Sequence, residues 1–317
     1  AAAGRGAGVA GIGVSAVPGR PVDLRSDLVE GERLQVWHDA DRLALTVYTA
    51  AADVTLGRQA IAWGTSALFP VADLWARFSP FELDTEEKPG IDAVRALAYP
   101  VAGVEVDAVL AAGADTDDLS AGVRASLGLP RAEVYGAAGK LWQEALALAG
   151  ITFLFDEVKL RAEGALVRDL AEGGFELPRV TLGADWIRGR VALAAEYHLN
   201  GAGSAGPEGY LAHLADPRSS RAEGYYLGRH YLGILAAGAA DAEERLRVSL
   251  AGLANLTDPS LSLTPTASYE VVQSATLSLG AVLGFGETPA PAGPVPRLQS
   301  EFGSYGDLWF SRASVYF

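Results

Sequence analysis

Charged residues in this chain stand singly between apolar ones. Arg42, Glu105, Asp107, Arg124, Glu133, Lys159, Arg161, Glu163, Arg179, Asp185, Glu196, Arg245, Arg247 and Arg312 each alternate with aliphatic, aromatic or small neighbours. In an extended segment, a charge at every second position puts the charges on one face and the apolar side chains on the other. Charges of both signs gathered that way pair with one another, hold water, or attract ions. Catalysis would need more: a nucleophile with a base in reach and donors for an oxyanion. No G-x-S-x-G elbow is present. His38, His198, His213 and His230 show no metal-ligand spacing. The absence of cysteine excludes disulfides, thiol catalysis and thiolate metal sites. The glycine-rich stretches Gly6–Gly13 and Gly201–Gly209 lack the strand-to-helix setting of a phosphate loop. No catalytic residue, cofactor or metal is assigned.

Composition narrows the choice of elements that could carry such a face. The 317 residues are 50% hydrophobic and 20% charged, which excludes a disordered chain. A net charge of −14 excludes a nucleic-acid surface, which needs a basic footprint. No continuous apolar run is long enough for a transmembrane helix; the best, Ala145–Phe155, is too short. Methionine is absent, and the chain opens AAAGRGAG, as a mature exported protein would after its leader is removed.

The hydrophobic period is close to two over most of the length. Val104, Val106, Ala108 and Leu110 alternate with Glu105 and Asp107, and Val158, Leu160 and Ala162 with Lys159, Arg161 and Glu163. Ala275, Leu277, Leu279, Ala281, Leu283 and Phe285 make the longest clean run. Strands are expected near 33–39, 42–50, 52–62, 91–99, 101–112, 119–128, 131–140, 143–154, 157–168, 178–187, 190–199, 225–237, 243–254, 261–271, 273–286 and 303–317. Their typical length exceeds that of soluble strands and suits a tilted crossing of a hydrocarbon layer. The long connections, 63–90, 169–177, 200–224 and 287–302, all fall after odd-numbered strands, while the connections between them are short. Membrane barrels segregate their loops in this way. The expected fold is all-β: a transmembrane antiparallel up-and-down barrel of about sixteen strands, within two, spanning 32–317. A soluble all-β domain is the alternative. Residues 1–31 would plug the lumen, lie in the periplasm, or add a strand at 9–16.

The last strand, LWFSRASVYF, carries apolar residues at alternate positions and ends on Phe317. It resembles the C-terminal strand by which Gram-negative outer-membrane barrels are recognised for assembly, with Trp309, Val315 and Phe317 as the signal. That likeness implies contact with the barrel-assembly machinery and with outer-membrane lipid, where Trp309, Trp186 and Tyr197 would sit as girdle aromatics. The segment LGRQAIAWG (Leu56–Gly64) resembles a strand of porin-like barrels of the alginate-export and related families. This implies passive or selective passage of small solutes through a polar lumen. Arg58 shares a face with Leu56, so a bulge at Gly57 is expected to turn it inward.

The loop after that segment is too apolar to hang in solvent. Val71–Phe78 reads as a short helix following Pro70, and Leu68, Phe69, Leu74, Trp75 and Phe78 would fold into the mouth and narrow it. The channel lining would comprise Arg42, Arg58, Glu105, Asp107, Arg124, Lys159, Arg161, Glu163, Arg179, Asp185, Glu196, Arg245, Arg247 and Arg312. Because many acids lie in loops such as 82–87 and 114–118, the arginines would favour anions. The expectation is a non-enzymatic channel for small hydrophilic, anionic solutes. The alternatives are an N-terminally plugged transporter of hydrophobic substrates and a closed barrel serving as a subunit of an envelope or secretion complex. A homo-oligomer is compatible with each.

Overall fold

Alternation becomes strand almost throughout. The computed structural model describes residues 20–31, 34–75, 88–113, 119–171, 173–216, 226–292 and 295–316. In chain order the strands are β1 (Arg25–Glu30), β2 (Gln35–Asp39), β3 (Leu43–Tyr48), β4 (Asp53–Gln59), β5 (Ile91–Val101), β6 (Val104–Ala111), β7 (Ser120–Leu129) and β8 (Ala132–Leu141). They continue with β9 (Glu144–Phe155), β10 (Val158–Asp169), β11 (Arg179–Arg188), β12 (Val191–Leu199) and β13 (His230–Ala239). The last four are β14 (Leu246–Asn255), β15 (Ser260–Val272), β16 (Ala275–Phe285) and β17 (Leu308–Val315). β3 to β17 form one 15-stranded antiparallel sheet in sequence order, and β1 and β2 pair only with each other. Among the described residues, β3 and β17 are the edges of the large sheet.

One face of that sheet is apolar and exposed. Leu45 is 66% and Trp309 76% exposed, and Leu56, Val94, Leu110, Val123, Leu182, Leu232, Leu277 and Leu279 share that face. The opposite face buries Asp107, Arg124, Arg161, Glu163, Arg179 and Glu196. A water-soluble sandwich would bury the first set; this wall is built to stand in hydrocarbon, with its polar face turned to a lumen. The tight turns at 102–103, 156–157 and 189–190 all lie at one end. The long connections 60–90, 200–229 and 286–307 lie at the other, together with two short ones at 142–143 and 256–259.

Three expectations change. β1 is an additional strand within 1–31. The short helix is α1 (Tyr210–Ala215), in the β12–β13 connection. Residues 71–75 turn instead, because Val71, Ala72, Leu74 and Trp75 are all buried and Asp73 is drawn back to the amides of Trp63 and Gly64. Phe78 and Phe317 lie outside the described residues. Third, Gly57 takes φ +118 but the register runs unbroken through Leu45–Leu56, Ala44–Gly57 and Leu43–Arg58. Arg58 therefore keeps the outward parity of Leu56. It is 2% exposed there because Asp92, opposite on β5, binds it at 2.9 Å and the Ala40 and Val22 carbonyls cap it.

The outward side chains make a direct test possible. Leu279→Arg near the middle of β16 is expected to lower barrel stability by about 2–4 kcal/mol. Arginine at the adjacent inward Ser278 should be much milder, as read by urea unfolding in lipid vesicles.

Candidate functional site

After Gln59 the chain leaves the wall and enters the lumen. Ile61, Trp63, Val71, Ala72, Leu74 and Trp75 pack against inward residues of β5 to β10, including Ile91, Val109, Leu146, Leu148 and Val167. A segment of irregular backbone in such a place must find partners for its amides. Carboxylates supply them. Glu163, on β10, accepts from Thr65 N and Oγ1, from Ser66 N and, at 3.0 Å, from Val71 N. Glu196, on β12, accepts from the amides of Ala67, Leu68 and Phe69 at 2.7, 3.0 and 3.0 Å. Asp107 takes Trp63 Nε1 at 2.8 Å, and the Thr181 hydroxyl donates to the Phe69 carbonyl at 2.7 Å.

Arginines neutralise Glu196, Asp107 and several neighbouring acids. Arg161 reaches Glu196 at 2.8 Å and Asp185 at 2.6 Å. Arg95 binds Asp107 at 2.7 Å, Arg124 binds Glu133 at 2.8 Å, and Arg179 binds Glu144 and Glu176 at 3.1 and 2.9 Å. Buried charges persist only when paired and hydrogen-bonded. The β5–β12 side of the lumen is thus a charge-compensated anchor for the inserted segment.

The other side is different. Phe69 stacks on His198 at 5.0 Å and meets Tyr226 and Tyr231 at 5.2 and 6.0 Å, and Phe302 continues the cluster beyond Tyr231. Below it a cavity of about 950 Å³ runs from Leu68 and Tyr226 to the short-turn rim at Arg190, Glu244 and Tyr316. Its wall is rich in hydroxyls: Ser249, Ser262, Thr264, Thr266, Ser268, Thr276, Ser278 and Ser314. Register sets Arg247, Ser268, Ser278 and Arg312 in one row across β14 to β17, with the two serine hydroxyls 2.8 Å apart. Arg247 has no carboxylate partner among the described residues. Phe310 lies opposite Gly280, where a Cβ would run into its ring, and Tyr135 lies opposite Gly150 in the same manner.

The residues singled out from sequence divide accordingly. Glu105, Asp107, Arg124, Lys159, Arg161, Glu163, Arg179, Asp185 and Glu196 face inward from β6 to β12, and Arg247 and Arg312 face the cavity. Arg42 instead precedes β3, beside Asp41 and the Lys88 carbonyl. Arg245, in the β13–β14 turn, lines the cavity at its short-turn rim and donates to the Glu270 and Val271 carbonyls. Leu68, Phe69, Leu74 and Trp75 lie within the inserted segment, while Trp309 and Val315 point outward. Sequence reasoning passed over Asp73, Glu144, Asn255, Asp258 and Glu301, and over the hydroxyls of 262–268.

A continuous run of antiparallel neighbours, apolar outside and charged inside, with a segment returned into the lumen, defines the architecture. The fold is that of an outer-membrane β-barrel porin. The chain is similar in structure to OccK10 (OpdN) of Pseudomonas aeruginosa, with a TM-score of 0.56 and 14% identity over 93% of this chain and 92% of that one. It is also similar to OccK11 (OpdR) of Pseudomonas aeruginosa, at 0.54 and 12% over 90% and 83%. OccAB3 of Acinetobacter baumannii matches at 0.52 and 10% over 86% and 76%. No family model matches the sequence, and a search of curated proteins finds no match. At these identities the likeness to the porins is one of fold.

Within this porin fold, Glu196→Ala would strand three amides and leave Arg161 with Asp185 as its remaining carboxylate. It is expected to destabilise the barrel by roughly 3–5 kcal/mol, with Glu196→Gln milder, measured as loss of heat-modifiable mobility.

Proposed function

We propose that this chain is an outer-membrane channel for small hydrophilic solutes, with a preference for anions. The observation that carries the reading is the cavity wall of hydroxyls flanked by Arg247 and Arg312 inside an apolar-faced barrel. Serine and threonine hydroxyls replace hydration water for a passing solute without trapping it, and the arginines set the sign of the potential. Glu244, paired with Arg190 at 3.0 Å, and Glu270 also line the cavity, but four arginines, Arg190, Arg245, Arg247 and Arg312, outnumber them there. The exposed apolar band supports placement in the bacterial outer membrane against lipid. Trp309, Val315 and Phe317 would present the closing strand to the assembly machinery. Residues 1–31 are not needed for the solute path in this reading, and no catalytic residue is assigned. The alginate-export resemblance of Leu56–Gly64 carries no part of it, because that segment is occupied in starting the inserted loop.

Planar-bilayer conductance tests the proposal. The folded protein is expected to pass steady current with anions favoured over cations. Arg247→Ala with Arg312→Ala should lower the anion-to-cation permeability ratio severalfold with little change in stability. Deleting 66–82 should raise single-channel conductance, and an unchanged value would remove the constriction role of Leu68, Phe69, Leu74 and Trp75. Silence from a correctly folded barrel under all conditions would favour a plugged transporter or a closed envelope subunit.

A further inference from the structure

At the long-loop end one carboxylate gathers several connections. Glu301, between β16 and β17, is 1% exposed. It accepts from the Leu227 amide at 3.1 Å, from Asn255 Nδ2 at 2.7 Å and from the Tyr231 hydroxyl. Its own amide donates to Asp258 Oδ2 at 2.7 Å, an oxygen that also accepts from the Tyr210 hydroxyl at 2.6 Å and from Asn255 Nδ2 at 3.1 Å. The cluster thereby ties α1, the stretch before β13, the β14–β15 turn and the β16–β17 connection to the inner ends of β13 and β14. Tyr231 is its pivot. The hydroxyl meets Glu301 while the ring packs on Phe302, Tyr226 and Phe69, the last at the tip of the inserted segment.

The groups facing Glu301 are Asp258, the hydroxyls of Tyr210, Tyr226, Tyr231 and Tyr305, and the Asn255 amide. The two cationic side chains next to Leu227 and Tyr231 turn elsewhere. Arg229 donates to the Gly203 carbonyl, and His230 bonds the Tyr197 hydroxyl on the outer face. Glu196 has Arg161; Glu301 has a second carboxylate.

We propose that Glu301 is a proton-operated latch, holding the described parts of the β12–β13 and β16–β17 connections, residues 200–216, 226–229, 286–292 and 295–307, against the long-loop end of the barrel when protonated and releasing them when ionised. Burial pushes its carboxyl up to about 7; the Tyr231 and Leu227 bonds oppose this and Asp258 adds to it. The sign follows. In a released loop the group would titrate near its ordinary 4.5. The latched form therefore binds the proton more tightly, and the latch is strongest below that value and weakens as pH rises towards 7. Ten-fold per unit over this interval makes the full change in the latched-to-released ratio roughly 300-fold.

The channel reading enters only through the expected effect on current, so the test begins with a readout independent of it. The chain has no cysteine. Ser300 is fully buried and Gly306, in the same connection, is exposed. The ratio of maleimide labelling at Ser300→Cys to that at Gly306→Cys cancels the titration of the thiol itself. That ratio is expected to rise at least about tenfold between about pH 5.5 and about pH 8.5. With Glu301→Gln, which keeps the shape and cannot ionise, it should stay low and flat. Tyr231→Phe should raise it at the acidic end. Should Ser300→Cys misfold, hydrogen exchange of the Leu227 and Phe302 amides, corrected for intrinsic rates, reads the same opening. A flat ratio in the otherwise native barrel, or equal pH dependence in Glu301→Gln, overturns the latch. Single-channel current in the same buffers should rise with the ratio. PH-dependent labelling with no current at any pH would leave the latch standing and overturn the channel.

Discussion

An amide that leaves the β-ladder inside a barrel must find an acceptor there, and the interior of this molecule is organised around that requirement. The segment from Ile61 to Trp75 carries apolar side chains that fill the lumen, but its backbone cannot be left dry. Asp73, Glu163 and Glu196 meet the need, each carboxylate taking two or more amides. Once carboxylates are placed in a narrow interior, cationic partners become obligatory, and Arg161 serves both Glu196 and Asp185. The positions of β10 and β12 in the wall thus decide where the inserted segment runs.

The same constraint divides the lumen into two kinds of surface. Between β5 and β12 most of the charges are structural, paired with one another or with the segment they hold. From β13 to β17 the polar groups are mostly neutral hydroxyls, with Arg247 and Arg312 at the ends of a serine row. A protein with a net charge of −14 can still present a cationic strip to a solute, because four arginines, Arg190, Arg245, Arg247 and Arg312, line the cavity against two acids, Glu244 and Glu270.

How far the sequence disclosed this depended on the range of each interaction. Strand alternation is local, so β2 to β17 and the segregation of long connections were legible, as was the misfit of Leu68, Phe69, Leu74 and Trp75 with a solvated loop. The pairing of Glu163 with Thr65, 98 positions away, has no local signature. Apolar content around Val71 suggested a helix because periodicity cannot distinguish an amphipathic turn from a segment buried on all sides. Arg58 was expected to need reorientation by a bulge, since nothing near it in sequence announces that Asp92 and the Ala40 carbonyl would neutralise it in place. Glu301, between Ser300 and Phe302 in a stretch rich in glycine and proline, reads as ordinary loop; its burial is a property of the three connections that converge on it.

The glycines opposite Phe310 and Tyr135 give the passage a further property. In each pair a large ring rests on a neighbouring strand where no side chain intrudes, so the bore is set by backbone and by a missing methyl group. Calibre and charge are thereby carried by separate positions: Gly280 with Phe310 for one, Arg247 with Arg312 for the other. Sieving by size and sorting by sign can then be adjusted independently, a division of labour that lets such a wall be retuned for a different solute by changing either one while the other is kept.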